Sequence, residues 1–124
     1  MAYPTTGRFN KAYPGCHTPS LGASPIAAAL RIPFRCQIET LTATTAGTIT
    51  STDCVVTVKL NGTTITSSTN GITVTATGAD AGQTFSNTPL TQTIAQEGDV
   101  LLFTPASASG TTIPGTFTAI LRSF

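Results

Sequence analysis

From residue 53 the chain reads DCVVTVKL. Cys54, Val56, Val58 and Leu60 fall on one face of an extended segment, with Val55, Thr57 and Lys59 on the other. That two-residue period is the mark of a β-strand with one buried face. The same period recurs. Ile72, Val74 and Ala76 share a face in ITVTAT, and Phe117, Ala119 and Leu121 share one in TFTAILRSF. In DVLLFTP, Leu101 and Phe103 point inward and Leu102 is expected at a contact between elements. The stretch IAAALRIPFRCQIETLTATT reads as one or two strands around Pro33, which suits an edge or a strand start. Phe34, Cys36 and Ile38 are in one phase, but Leu41 and Ala43 are in the other, so a bulge or twist is predicted near Thr40. Weaker short strands are placed at QTFS and at LTQTIA, where Leu90, Gln92 and Ile94 alternate irregularly.

Turn chemistry separates these runs. Asn61–Gly62 supplies the two positive-φ positions of a type I′ turn and is expected to close a hairpin. Asn61-Gly62-Thr63 also matches a glycosylation sequon, but is read as a turn only. A second pair, Asn70–Gly71, precedes ITVTAT; QEGD is a further turn, TTAGTITST is a loop or short strand around Gly47, and GADAGQTFSNTP and ASASGTTIPG are loops. The pattern amounts to about seven to eight short antiparallel strands with turns every ~8–12 residues, and no helix longer than a turn. The expected fold is all-β, a β-sandwich or jelly roll spanning residues 26–124.

Residues 1–25 have another texture. Pro4, Pro14, Pro19 and Pro25 interrupt them, so a regular helix or central strand is excluded. Both tyrosines, Tyr3 and Tyr13, lie here with Phe9, Arg8 and Lys11, and no acid. Free tails are polar and poor in aromatics, whereas Tyr and Arg are interface residue types. The segment is therefore expected to be an extended arm that binds a partner through Tyr3, Arg8, Phe9, Lys11 and Tyr13. A disordered tail and a segment folded over its own sheet edge are the alternatives. On the first reading, deleting residues 1–20 would leave a folded domain that no longer binds.

Composition strengthens the all-β reading and narrows the function. Of 124 residues, 9% are charged and 40% hydrophobic; threonine, which is β-branched, replaces the straight-chain helix formers. A surface so poor in charge favours assembly, because a covered surface needs no charge to stay soluble. The net charge of +1 conceals a split. Arg8, Lys11, Arg31 and Arg35 stand without an acid in residues 1–38. Beyond them, Lys59 and Arg122 face Glu39, Asp53, Asp80, Glu97 and Asp99. Four dispersed cations neutralise too few phosphates for a nucleic-acid partner, and a basic arm meeting an acidic protein surface fits better. No signal peptide is visible, and PIAAAL is too short to span a membrane. Cys16, Cys36 and Cys54 make an odd count, which argues against a disulfide framework. Cys36 and Cys54 are expected as buried, reduced thiols.

Catalytic arrangements do not stand out. His17 is the one histidine, and adjacent residues such as Cys16 and His17 cannot face each other as nucleophile and base in ordinary backbone. The acids are scattered, most of them at turns, where turn chemistry accounts for them. A carboxylate pair of the glycosidase kind and a Ca²⁺ site at Asp80 are the remaining, weaker options. There is no Trp, so the usual sugar-stacking platform is lacking. No cofactor, metal or catalytic residue is assigned.

The arm, LRIPFRCQIETLTATT, the VTVKLNGTTIT hairpin, IAQEGDVLLFTP and the terminal GTFTAILRSF together resemble the small jelly-roll virion proteins of tailed bacteriophages, the head decoration or cement proteins. The resemblance covers roughly residues 26–124 and carries no motif from which residue roles transfer. It implies a non-enzymatic subunit made in the host cytoplasm and bound to the capsid exterior. There it would contact the major capsid protein as a dimer or trimer, without nucleic acid or membrane, and bridge capsomers. The alternative is the head domain of a phage fibre that binds host-surface glycan. An enzyme, a glycan hydrolase on a jelly roll, is the third reading.

Overall fold

The structure, a computed structural model, describes residues 11–22, 24–48, 53–66, 71–75, 82–89, 93–106 and 112–123. Eleven strands run in chain order: β1 (Lys11–Ala12), β2 (Gly15–Thr18), β3 (Ala28–Arg31), β4 (Cys36–Thr45), β5 (Cys54–Leu60), β6 (Thr63–Thr64), β7 (Ile72–Val74), β8 (Thr84–Asn87), β9 (Thr93–Ala95), β10 (Val100–Ala106) and β11 (Gly115–Ser123). The described residues contain no helix.

The strands form two antiparallel sheets. One has the order β1-β11-β4-β8, with β2 also on β11 and β9 also on β4; the other has the order β3-β10-β5-β6, with β7 also on β5. Three outer columns are each broken in two, so eleven segments occupy eight columns, four per sheet. Seven of these columns lie in residues 26–124, where seven to eight strands were expected; the eighth, β1 with β2, comes from the segment expected to lie outside the sheet. The chain changes sheet at each step between columns except from β5 to the β6/β7 column, which stay in one sheet, as in a jelly roll.

Inward positions meet between the sheets. Phe103 of β10 stacks on Phe117 of β11 with ring centroids 4.9 Å apart and planes 4° from parallel. Around them lie the buried Val56, Val58, Ile72, Val74, Leu41 and Leu121. Cys36 and Cys54 are fully buried among these apolar side chains, as expected, while Phe34 packs against the core only in part.

The phase change in β4 is a bulge. Ile120 pairs with Thr40 and Leu121 with Ile38, so Glu39 is the unpaired extra residue. Cys36 and Ile38 point inward before it, and Leu41, Ala43 and Thr45 after it. The predicted hairpin also forms: Leu60 pairs with Thr63, and Asn61 and Gly62 have φ of 49° and 87°.

The N-terminal segment requires a correction. Lys11 and Ala12 pair with Arg122 and Leu121, and residues 15–18 pair with residues 115–118 of β11. Leu21 is completely buried, and its side chain fills the space a Cβ on Gly115 would take. Thr18 closes the following loop: its hydroxyl donates to the Ile26 carbonyl at 2.5 Å, and Ile26 N donates to the Ser20 carbonyl. Residues 11–22 thus belong to the sandwich, and the boundary expected after residue 25 does not hold for them. Prolines exclude a central strand but not an edge strand. Pro14 sits at the break between β1 and β2, where its missing N–H costs no ladder bond and its carbonyl accepts from Ala119 N. Cutting the chain at residue 20 would remove two strands of the sheet.

Candidate partner-binding surface

The bulge decides what lies beside the N-terminal strand. The extra residue lets Glu39 emerge on the outer face of β4, between the side chains of Lys11 and Arg122. Its carboxylate lies 3.2 Å from Lys11 Nζ and 3.6 Å from Arg122 Nε. Arg122 also donates to Gln37 Oε1 at 3.0 Å. Two cations share one acid, so the cluster keeps a net positive charge at the entrance of the arm. The alternation of apolar positions revealed the bulge, but not that it would carry the acid that pairs with Lys11.

Tyr13 follows directly and is 62% exposed, the most open large apolar side chain among the described residues. Of the five residues expected to bind a partner, Lys11 and Tyr13 are therefore neighbours on the sheet edge. Tyr3, Arg8 and Phe9 lie outside the described residues. Asn61 and Gly62 are at the opposite sheet's hairpin, as a turn.

The outer face of the six-stranded sheet is a field of hydroxyls. Thr116 and Thr118 of β11 stand beside Thr44 and Thr42 of β4, and Thr84 lies across from Thr44 with their hydroxyls 2.8 Å apart. The five-stranded sheet differs. Its strands hold Arg31 and Lys59 and no acid. Val100 and Leu102 are 40% and 38% exposed on its outer face, and Leu102 lies in register with Ala29 and Lys59. The Leu102 side chain faces outward from this sheet, not into the core.

Chemistry on this surface is sparse. Cys16 points inward opposite Phe117 and His17 outward opposite Thr116, since neighbours on a strand face opposite ways. They cannot work as a nucleophile–base pair. Burial pushes the Cys54 thiol up to about 11, a Ala106 backbone bond opposing it slightly, and burial raises Cys16 and Cys36 as well. All three thiols are therefore protonated at neutral pH, the unreactive form. Among the described residues no group of three or more His, Cys, Asp or Glu could hold a metal ion. No helix among them is long and apolar enough to cross a membrane. Among the described residues lies a shallow groove of about 300 Å³ lined by Arg31, Ile32, Pro33 and Glu97. Another, of about 240 Å³, is lined by His17, Thr44, Thr116 and neighbouring backbone. Neither gathers convergent charged groups with a nucleophile.

At the end of the five-stranded sheet, Asn61 ties two turns together. Its Oδ1 accepts from Val100 N at 3.0 Å, and its backbone N donates to the Val100 carbonyl at 3.0 Å. Its carboxamide also donates to the Asp99 carboxylate. Asp99 further accepts from Gln96 N at 2.9 Å. These bonds, the Gln96 one first, hold the Asp99 carboxyl below its ordinary range. The NG dipeptide signalled the turn; nothing in it signalled this latch.

Compared with protein families, with curated proteins and with solved structures, the chain matches none.

Proposed function

We propose that the protein is a structural virion subunit, a capsid decoration or cement protein that binds the outer capsid surface and bridges capsomers. The observation that carries this reading is the kind of surface exposed on the sandwich. Tyr13, Ile26, Ile94, Val100 and Leu102 stand open on a chain with 9% charged residues. Such a surface gains free energy when a neighbour covers it. The cationic strip of Lys11 and Arg122 beside Tyr13 adds a preference for an acidic partner surface. The partner on this reading is the major capsid protein, with the subunit acting as a homo-oligomer and doing no chemistry. Shell stabilisation follows mechanically, since parting two capsomers then breaks added contacts.

The test is stoichiometric. Purified particles should carry the protein at a copy number comparable to the capsid protein, and particles stripped of it should release DNA at lower temperature. A few copies per particle located at the tail, with binding to defined glycans, would instead support a fibre head domain.

A further inference from the structure

The latch residue also belongs to an Asn-Gly pair. Asn61 precedes glycine in an exposed turn, and a Cβ at Gly62 would meet nothing within 4 Å. The Gly62 amide, next in the chain to the Asn61 side chain, makes no hydrogen bond among the described residues. The side-chain carbonyl accepts from Val100 N at 3.0 Å. That donor polarises Cγ and would steady the oxyanion formed if a nucleophile added there. A nucleophile one residue away, held in one turn conformation, needs no bimolecular encounter.

We propose that Asn61 is a self-modification site at which the Gly62 amide nitrogen attacks the Asn61 carboxamide. The N–H proton passes to solvent, a bond forms from Gly62 N to Cγ, the Cγ–Nδ2 bond breaks, and the nitrogen leaves as ammonia after taking up a proton from water. Water then opens the cyclic imide. Cleavage of its bond to Cγ gives aspartate; cleavage at the backbone carbonyl gives isoaspartate. The net change is amide plus water to carboxylic acid plus ammonia, with no oxidant or reductant. The product carboxylate lies where the amide donated to Asp99. An attractive contact becomes a like-charge one, and in the isoaspartate form an added backbone carbon breaks the paired turn. The modification therefore unties the two turns at this end of the sandwich.

The purified, folded chain is incubated at neutral pH and digested for peptide mass mapping, beside a sample unfolded in urea. Asn61 is expected to convert in the folded protein at a rate within about tenfold of the unfolded chain. Hydroxylamine should cleave the chain between residues 61 and 62, trapping the imide, and Asn61→Gln should abolish both signals. Protection of Asn61 by more than that factor, or conversion confined to other asparagines, would overturn the proposal.

Discussion

At the level of single residues, Asp99 and Gly71 make the clearest predictions. Asp99 has a folded pKa below 3.8, its ordinary value, because Gln96 N and the Asn61 amide donate to its charged form. The unfolded chain then binds more protons in the pH range around and below 3.8. This contribution is fully present at neutral pH and is lost as pH falls through the folded pKa. Asp99→Asn should flatten the fall of thermal midpoint on acidification from pH 5, as followed by circular dichroism; an unchanged slope would deny the carboxylate this role. Gly71 has φ of 47°, and a Cβ there would lie 2.5 Å from the Val56 carbonyl oxygen. Since backbone must move, Gly71→Ala should destabilise by more than about 2 kcal/mol in urea titration. At Gly62 the added Cβ meets open space, so Gly62→Ala should incur the conformational term alone.

Among the elements, the N-terminal strands matter most for stability. Leu21 is completely buried against Gly115, so Leu21→Ala should cost about 2–5 kcal/mol. Removing residues 1–20 should do worse. It strips β1 and β2, bares the edge of β11 and should yield aggregating protein in gel filtration. The central strands were readable because Cys54, Val56 and Val58 or Phe117, Ala119 and Leu121 write their burial directly into a period of two. The N-terminal strands were not, because β1 spans two residues and β2 four, too short for a period. Their prolines also look like exclusion from a sheet when they only exclude its centre. Pro105 makes the same point inside β10. It pairs with Val56 beyond the end of β3, where β10 has a neighbour on one side only. The bulge was legible from the shift between Ile38 and Leu41. The ion cluster was not, because Lys11, Glu39 and Arg122 come from three distant places that only the strand pairing unites.

For the whole molecule, the prediction concerns its covered faces. If both Tyr13 and the outer face of the five-stranded sheet are buried on a particle, Tyr13→Ser and Leu102→Ser should each weaken particle binding without lowering the thermal midpoint. Raising salt should weaken binding further through Lys11 and Arg122 beside Tyr13 and through Arg31 and Lys59 on the five-stranded sheet, since exposed charges are screened beyond about 8 Å at physiological ionic strength. Sedimentation of particles with labelled protein measures both. Binding unaffected by either variant would move the contact elsewhere on the sandwich.

The pairing of Lys11 with Arg122 has a consequence in time. Of the described strands the earliest made, β1, waits for β11, so the six-stranded sheet cannot close while β11 is still inside the ribosome. Until then the nascent chain presents β4 with the side that β11 will take unpaired, and the Phe103 ring without Phe117 to stack on. Folding of this sandwich is therefore a late event of high contact order, completed only once nearly all of the described chain is free.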